Sequence, residues 1–119
     1  MSGFLSRMFS GKADTPGWIE VAELRQRLAH GDVLLVDVRQ PEEYASPPGH
    51  LPGAINVPLG NLSAHTGELA ARGQPIVVVC KTDRRSARAA AELVAAGLRD
   101  VAVLRGGTDG WHSHGLALE

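Results

Sequence analysis
The chain has 119 residues, enough for one compact domain. Apolar types make up 44% and charged types 21%, a globular balance that excludes intrinsic disorder. Twelve Lys and Arg face 13 Asp and Glu, for a net charge of -1, so no basic excess marks a nucleic-acid partner or an anionic membrane surface.

Residues 1–16 predict a flexible N-terminal arm, and residues 17–117 the domain, which opens at the Thr15-Pro16-Gly17 turn signal. The arm lacks an apolar core of secretory-signal length. Phe4, Leu5, Met8 and Phe9 fall on one side of a notional helix. Trp18 and Ile19 predict a short first strand. Val21, Leu24, Arg25 and Leu28 recur at helical spacing, and His30-Gly31 closes that helix, although Glu20 is a poor N-cap. Val33 to Val38 is a nearly pure apolar, branched run suited to a strand covered on both faces. Gln40 to Tyr44 opens a short helix with Pro41 at its first position and Glu42 and Glu43 at the positive end of its dipole.

Pro47-Pro48-Gly49 breaks the chain. Ala54 to Val57 predicts a short strand stopped by Pro58. Leu62 to Ala71 predicts a helix ending near Gly73, and Pro75 to Cys80 a buried strand. Arg85 to Ala96 is the strongest helical segment, with Ala87, Ala90, Ala91 and Val94 as its inward stripe and a Schellman-type ending at Gly97-Leu98. Val101 to Leu104 is a last strand, and Gly106-Gly107 turns into a short helix carrying Trp111. Five strands alternating with helices imply an α/β fold with a central, mostly parallel five-stranded sheet and helices on both faces. Ligands gather beyond the carboxyl ends of such strands. The apolar runs are far too short to span a bilayer. Leu118 and Glu119 are expected to add nothing to the domain.

Cys80 is the single cysteine, which excludes an intrachain disulfide, a zinc site of several thiolates and a resolving cysteine in this chain. An unpaired thiol points to a reducing compartment, so a cytoplasmic location is expected. Cys80 closes a strand, and Lys81-Thr82-Asp83-Arg84-Arg85-Ser86 leads directly into a helix. The amides of a tight loop can form an anion nest, and the helix dipole adds partial positive charge. Lys81, Arg84, Arg85 and Arg88 stand against the one carboxylate of Asp83. These terms favour thiolate over thiol, and a thiolate is a ready nucleophile. The competing reading makes Cys80 a small buried hydrophobe and the cations a solvated helix face, with Arg88 and Glu92 as a surface pair.

Cys80 to Ser86 resembles the active-site loop of the single-domain rhodaneses. Three further blocks lie in the order of that family: Asp37-Val38-Arg39 with Glu43-Tyr44; Gly49-His50-Leu51-Pro52-Gly53-Ala54 running on to Pro58; and Gly106-Gly107 followed by Trp111. The resemblance runs from about Trp18 to Trp111. It implies a rhodanese-like fold and sulfurtransferase activity, with Cys80 as catalytic nucleophile and residues Lys81, Thr82, Asp83, Arg84, Arg85 and Ser86 binding substrate. Cys80 would take the outer sulfur of a donor such as thiosulfate, carry it as a persulfide stabilised by loop amides, and pass it to cyanide, a thiol or a protein acceptor. Lys81, Arg84 and Arg85 would orient the small anionic donor. No metal or organic cofactor is implied, and a monomer is the expected state. The chain departs from the family pattern at the Pro47-Pro48 insertion and at Asp83, where many members carry glycine; Asp tolerates the left-handed region well enough to close the loop.

Two other readings stay open. One is a non-catalytic sulfur-carrier or protein-interaction module of the same fold. The other is a cysteine phosphatase-like hydrolase, whose loop places five residues between cysteine and arginine; here four separate Cys80 from Arg85, a tighter ring suited to one sulfur atom. Arsenate reduction is disfavoured for want of a second cysteine.

Asp37, Arg39, Glu43 and His50 are expected to be structural near the site: Arg39 and Glu43 as an ion pair, Asp37 as an acceptor of backbone hydrogen bonds, His50 through a turn hydrogen bond. Asn56 is expected to tie a turn, Trp111 to be core, and His30 and His65 to be surface residues. His112 and His114 are two potential metal ligands without a third.

Overall fold
The computed structural model describes residues 15–119. The apolar set Phe4, Leu5, Met8 and Phe9 lies outside the described residues. Five strands form one sheet: β1 (Gly17–Ile19), β2 (Leu34–Asp37), β3 (Ile55–Asn56), β4 (Ile76–Val79) and β5 (Val101–Leu104). Their order is β1-β5-β4-β2-β3, and every neighbouring pair is parallel. The helices are α1 (Val21–His30), α2 (Pro41–Ala45), α3 (Thr66–Ala71), α4 (Arg84–Ala95) and α5 (Gly107–Ser113), with a 3-10 segment over Leu59–His65.

The alternation of side chains along each strand divides the core in two. Leu34, Val36, Ile76, Val78, Val101 and Val103 pack on one face with Ala89, Ala90 and Leu93 of α4. Leu35, Val77, Val79, Ala102 and Leu104 pack on the other with Val21 and Leu24 of α1 and Trp111 of α5. Central strands buried on both faces explain why β4 and β5 read as unbroken apolar runs and β2 as one broken only by its last residue, Asp37.

Two local expectations need correction. The helix expected over 62–71 is split: a 3-10 segment starts at Leu59, and the α-helical turn begins only at Thr66. The inward face of α4 is Ser86, Ala89, Ala90 and Leu93; Ala87 and Val94 are half-buried, and Ala91 is exposed. The face is rotated because Ser86 in the first turn faces the cysteine, which the apolar pattern alone could not weigh. The end of α4 is of the expected type. Leu98 N–H donates to Leu93 O at 3.1 Å and Gly97 N–H to Val94 O at 3.0 Å, with Gly97 at φ 102°.

The chain end carries more structure than expected. Glu119 and His50 exchange backbone hydrogen bonds of 2.8 and 3.1 Å, and Leu118 packs against the second core cluster.

Candidate active site
Cys80 follows β4 at the carboxyl end of the sheet, and its side chain falls on the α4 face because it continues the Ile76, Val78 alternation. It is 1% exposed. Its sulfur nevertheless has polar partners. The Ser86 amide donates to Sγ at 3.3 Å, and the Ser86 hydroxyl oxygen lies 3.2 Å from Sγ while donating to Asp83 O at 3.1 Å. The first intrahelical bond of α4 runs from Ala87 N to Asp83 O at 2.9 Å. The N–H groups of Arg84, Arg85 and Ser86 therefore precede the helical ladder, and the one from Ser86 is given to the sulfur.

The loop is held from outside by the start of α5. Thr108 N–H donates to Cys80 O at 2.8 Å and Asp109 N–H to Lys81 O at 3.0 Å. In a trans peptide the N–H points opposite to the C=O, so the amides of Lys81 and Thr82 are turned away from α5. Gly107, at φ 59°, lies so near the loop that a Cβ there would collide with the Cys80 and Thr82 carbonyl oxygens. Here the glycine is required twice, by its backbone angle and by close approach. Asp83 has φ -131° and is not left-handed, against expectation; its Oδ1 instead accepts from Gly106 N at 2.7 Å.

The charges around the loop are paired. Lys81 Nζ meets Asp109 Oδ2 at 2.6 Å. Arg85 is bidentate on Glu43, with Nη1–Oε1 at 2.6 Å and Nη2–Oε2 at 3.0 Å. This pair holds the Glu43 carboxyl at about 2, chiefly through the Arg85 hydrogen bond, and raises Arg85 above its ordinary value, chiefly through the hydrogen bond to Glu43 and also through the charges of Glu43, Cys80 and Asp37. Arg88 lies 3.6 Å from Glu92, the expected i,i+4 pair. Thr82 is exposed. Arg84 is exposed, and among the described residues it has no carboxylate partner.

The expected Arg39–Glu43 pair does not form. Arg39 instead folds back on Asp37, with Nη2–Oδ2 at 2.8 Å and Nε–Oδ1 at 3.0 Å, while its backbone N–H also donates to Asp37 Oδ1 at 2.9 Å. Asp37 is fully buried and Arg39 is 5% exposed, so the charges of this buried pair compensate each other through several hydrogen bonds. The remaining Nη2 bond goes to Gly49 O at 3.0 Å, fixing the turn that carries His50. A bidentate fork two residues away is reachable at the end of a strand, which leaves Glu43 for Arg85. His50 stacks on Tyr44 with ring centroids 3.7 Å apart and places Nδ1 2.9 Å from Tyr44 O. Asn56 Nδ2 donates to Asp37 O and Arg39 O, tying the end of β2.

Thr108 and Asp109, the outer grip of the loop, carry no motif of their own in the sequence. The Gly106-Gly107 doublet was the available signal, since paired glycines mark a close backbone approach. Trp111 is core, at 6% exposure. His112 and His114 belong to no group of three potential metal ligands among the described residues, where no helix is long and apolar enough to cross a membrane.

Comparison with known proteins places the chain in a family. Residues 20–114 match the family described as Rhodanese-like domain. The chain is 38% identical over 101 residues to a protein of Allochromatium vinosum named sulfurtransferase, covering 84% of this chain and 92% of that one. It is 34% identical over 95 residues to the thiosulfate sulfurtransferase GlpE of Pseudoalteromonas translucida, covering 80% and 88%. Among solved structures, a Rhodopseudomonas palustris protein of unknown function, described as a possible tyrosine phosphatase, superposes with a TM-score of 0.79 at 26% identity, over 87% of this chain and 85% of that one. The chain belongs to the rhodanese-like family.

Proposed function
We propose that the protein is a sulfurtransferase that carries sulfane sulfur as a persulfide on Cys80. The observation that carries this reading is the polar seat of the sulfur: a strand-end thiol with the Ser86 amide and hydroxyl at 3.3 and 3.2 Å, at the N-terminus of a twelve-residue helix. In the thiol form the S–H donates to Ser86 Oγ. In the thiolate form the Ser86 hydroxyl turns its hydrogen from Asp83 O to the sulfur, so one rotor serves both states.

The thiolate attacks the outer sulfur of a donor such as thiosulfate. A bond forms between Cys80 Sγ and that sulfur, the S–S bond of the donor breaks, and sulfite leaves with the electron pair. The persulfide anion then lies at the free amides of the first turn of α4, which stabilise it as fixed dipoles stabilise an oxyanion. A nucleophilic acceptor, cyanide or a thiolate, takes the terminal sulfur and returns Cys80 as thiolate. The steps are carried by protein residues, with Cys80 as nucleophile, Ser86 and the first-turn amides as stabilising donors, and Gly107, Thr108 and Asp83 as positioning residues. The 34% identity to a protein named thiosulfate sulfurtransferase supports sulfur transfer from a sulfane-sulfur donor. Four residues between Cys80 and Arg85, and an Arg85 fork already occupied by Glu43, both weigh against a phosphatase-like clamp on a phosphoryl group.

The 1% exposure of Cys80 favours a second reading, a non-catalytic module in which the loop is a fixed part of the fold. Mass spectrometry decides between them. After treatment with thiosulfate or a small-molecule persulfide, the sulfurtransferase gains about 32 Da, one sulfur, on Cys80, and cyanide removes it. Cys80→Ser abolishes the gain with the fold intact by circular dichroism. Absence of loading from either donor in the parent protein selects the non-catalytic module.

A further inference from the structure
The cationic loop legible in the sequence is electrically balanced in the folded protein. Three of its four cations meet carboxylates, Lys81 with Asp109, Arg85 with Glu43 and Arg88 with Glu92, and Asp83 in the loop adds a fourth carboxylate, bonded to the Gly106 amide. Two of these pairings have clear structural purposes. The Glu43–Arg85 fork joins α2 to α4, and Asp83 caps the Gly106 amide. The Lys81–Asp109 pair is different. Both side chains are more than half exposed, at 61% and 51%, a setting where an ion pair adds little to stability. Asp109 is already anchored through its backbone N–H to Lys81 O at 3.0 Å, so its carboxylate is not needed to hold the loop. What the carboxylate does is cancel the charge of the residue next to the nucleophile.

Resting on the sulfur-transfer reading, we propose that Asp109 is a specificity-determining residue: by neutralising Lys81 it tunes the site toward a sulfane-sulfur donor of low charge, the persulfide of a small thiol, and against the thiosulfate dianion. A balanced mouth gives a dianion no long-range attraction and leaves Arg84 as the loop cation without a carboxylate partner among the described residues. A neutral R–S–SH donor needs no such attraction. Cys80 Sγ bonds to its terminal sulfur, the donor S–S bond breaks with its electron pair on R–S, and the proton of the terminal sulfur passes to that leaving thiolate. The products are the Cys80 persulfide anion and R–SH.

The test uses the full chain and two donors, thiosulfate and the hydropersulfide of 2-mercaptoethanol, and follows the rate of sulfur gain on Cys80 by mass. In the parent protein the persulfide loads Cys80 faster than thiosulfate at equal concentration. In Asp109→Asn, which keeps the side-chain shape and the backbone bond, the ratio of thiosulfate to persulfide rates rises about threefold to tenfold at low ionic strength, and the rise collapses near about 0.5 M salt. Asp109→Glu, which keeps the charge, restores the parent ratio. A parent that prefers thiosulfate, an unchanged ratio in Asp109→Asn, or a change that salt does not screen overturns the proposal while leaving Cys80 loading in place. Failure of both donors to load the parent chain overturns the sulfur-transfer reading itself.

Discussion

The two ends of the sheet treat their charges in opposite ways. At the carboxyl end, around Cys80, carboxylates find partners: Asp37 with Arg39, Glu43 with Arg85, Asp109 with Lys81, Asp83 with the Gly106 amide. At the opposite end, where β4 and β5 begin, a cavity of about 450 Å³ is lined by Leu69, Pro75, Ile76, Leu98, Asp32 and Asp100 among others. There Asp32 Oδ1 and Asp100 Oδ2 are buried without a hydrogen-bond partner. Burial pushes the Asp100 carboxyl up to about 6; the charge of Arg27 opposes this, and that of Asp32 adds to it. This cavity thus lies at the end of the sheet away from Cys80. The difference teaches that in this molecule geometry is spent on holding one loop, while the other end tolerates unmatched polar groups. A cavity is no guide to the place of Cys80, whose sulfur is seated on the Ser86 amide and hydroxyl.

The contrast can be broken most severely at Gly107. Replacing it by Ala puts a Cβ against the Cys80 and Thr82 carbonyls at φ 59°, at a cost of roughly 2–4 kcal/mol. Thermal unfolding should show that loss, and sulfur loading of Cys80 should fall with it. Loading at the parent rate in a stably folded Gly107→Ala protein would show that the grip of α5 on the loop is dispensable.

A smaller effect is expected at the other end. Asp100 is raised from 3.8, so between 3.8 and 6 the native protein binds more protons than the unfolded chain. Its contribution therefore improves as pH falls from 6 toward 4 and is unfavourable above 6. Asp100→Asn should stabilise the protein at pH 7 by roughly 1 kcal/mol, allowing for solvent screening, and leave sulfur loading unaltered. An unchanged melting temperature at pH 7 and pH 4 alike would mean that Asp100 is solvated rather than stranded.

The smallest effect sharpens the comparison through pH. Glu43 is lowered from 4.5 to about 2, so its pairing with Arg85 stabilises fully above 4.5 and is lost as pH falls toward 2. Both partners are about a third exposed, and Glu43→Gln should cost under about 1 kcal/mol at pH 7. The parent and the variant should converge in stability by about pH 2, as checked by denaturant titration across that range. A constant gap down to pH 2 would assign the loss to packing instead of charge.

The order of elements, the parallel α/β fold and the position of Cys80 between a buried strand and a helix were legible because they rest on local signals. These are apolar runs of strand length, a helical segment rich in alanine, and the Gly97-Leu98 ending. The loop residues could likewise be named from their order along the chain. What escaped were the partners. Asp109 reaches Lys81 across 28 residues, Glu43 reaches Arg85 across 42, and Arg39 chose Asp37 two residues away over Glu43. Sequence spacing counts charges but cannot orient them, and a guanidinium fork selects its carboxylate by angle as well as by distance.

The sequence by itself therefore determined where the single thiol would stand and that a short polar loop would follow it. Only the tertiary structure decided which charges of that loop are paired, because the carboxylates that meet Arg85 and Lys81 come from α2 and α5, elements that reach the loop only when the sheet closes their separation in the chain. Local physics is fixed by neighbours in sequence; an electrostatic field is fixed by neighbours in space.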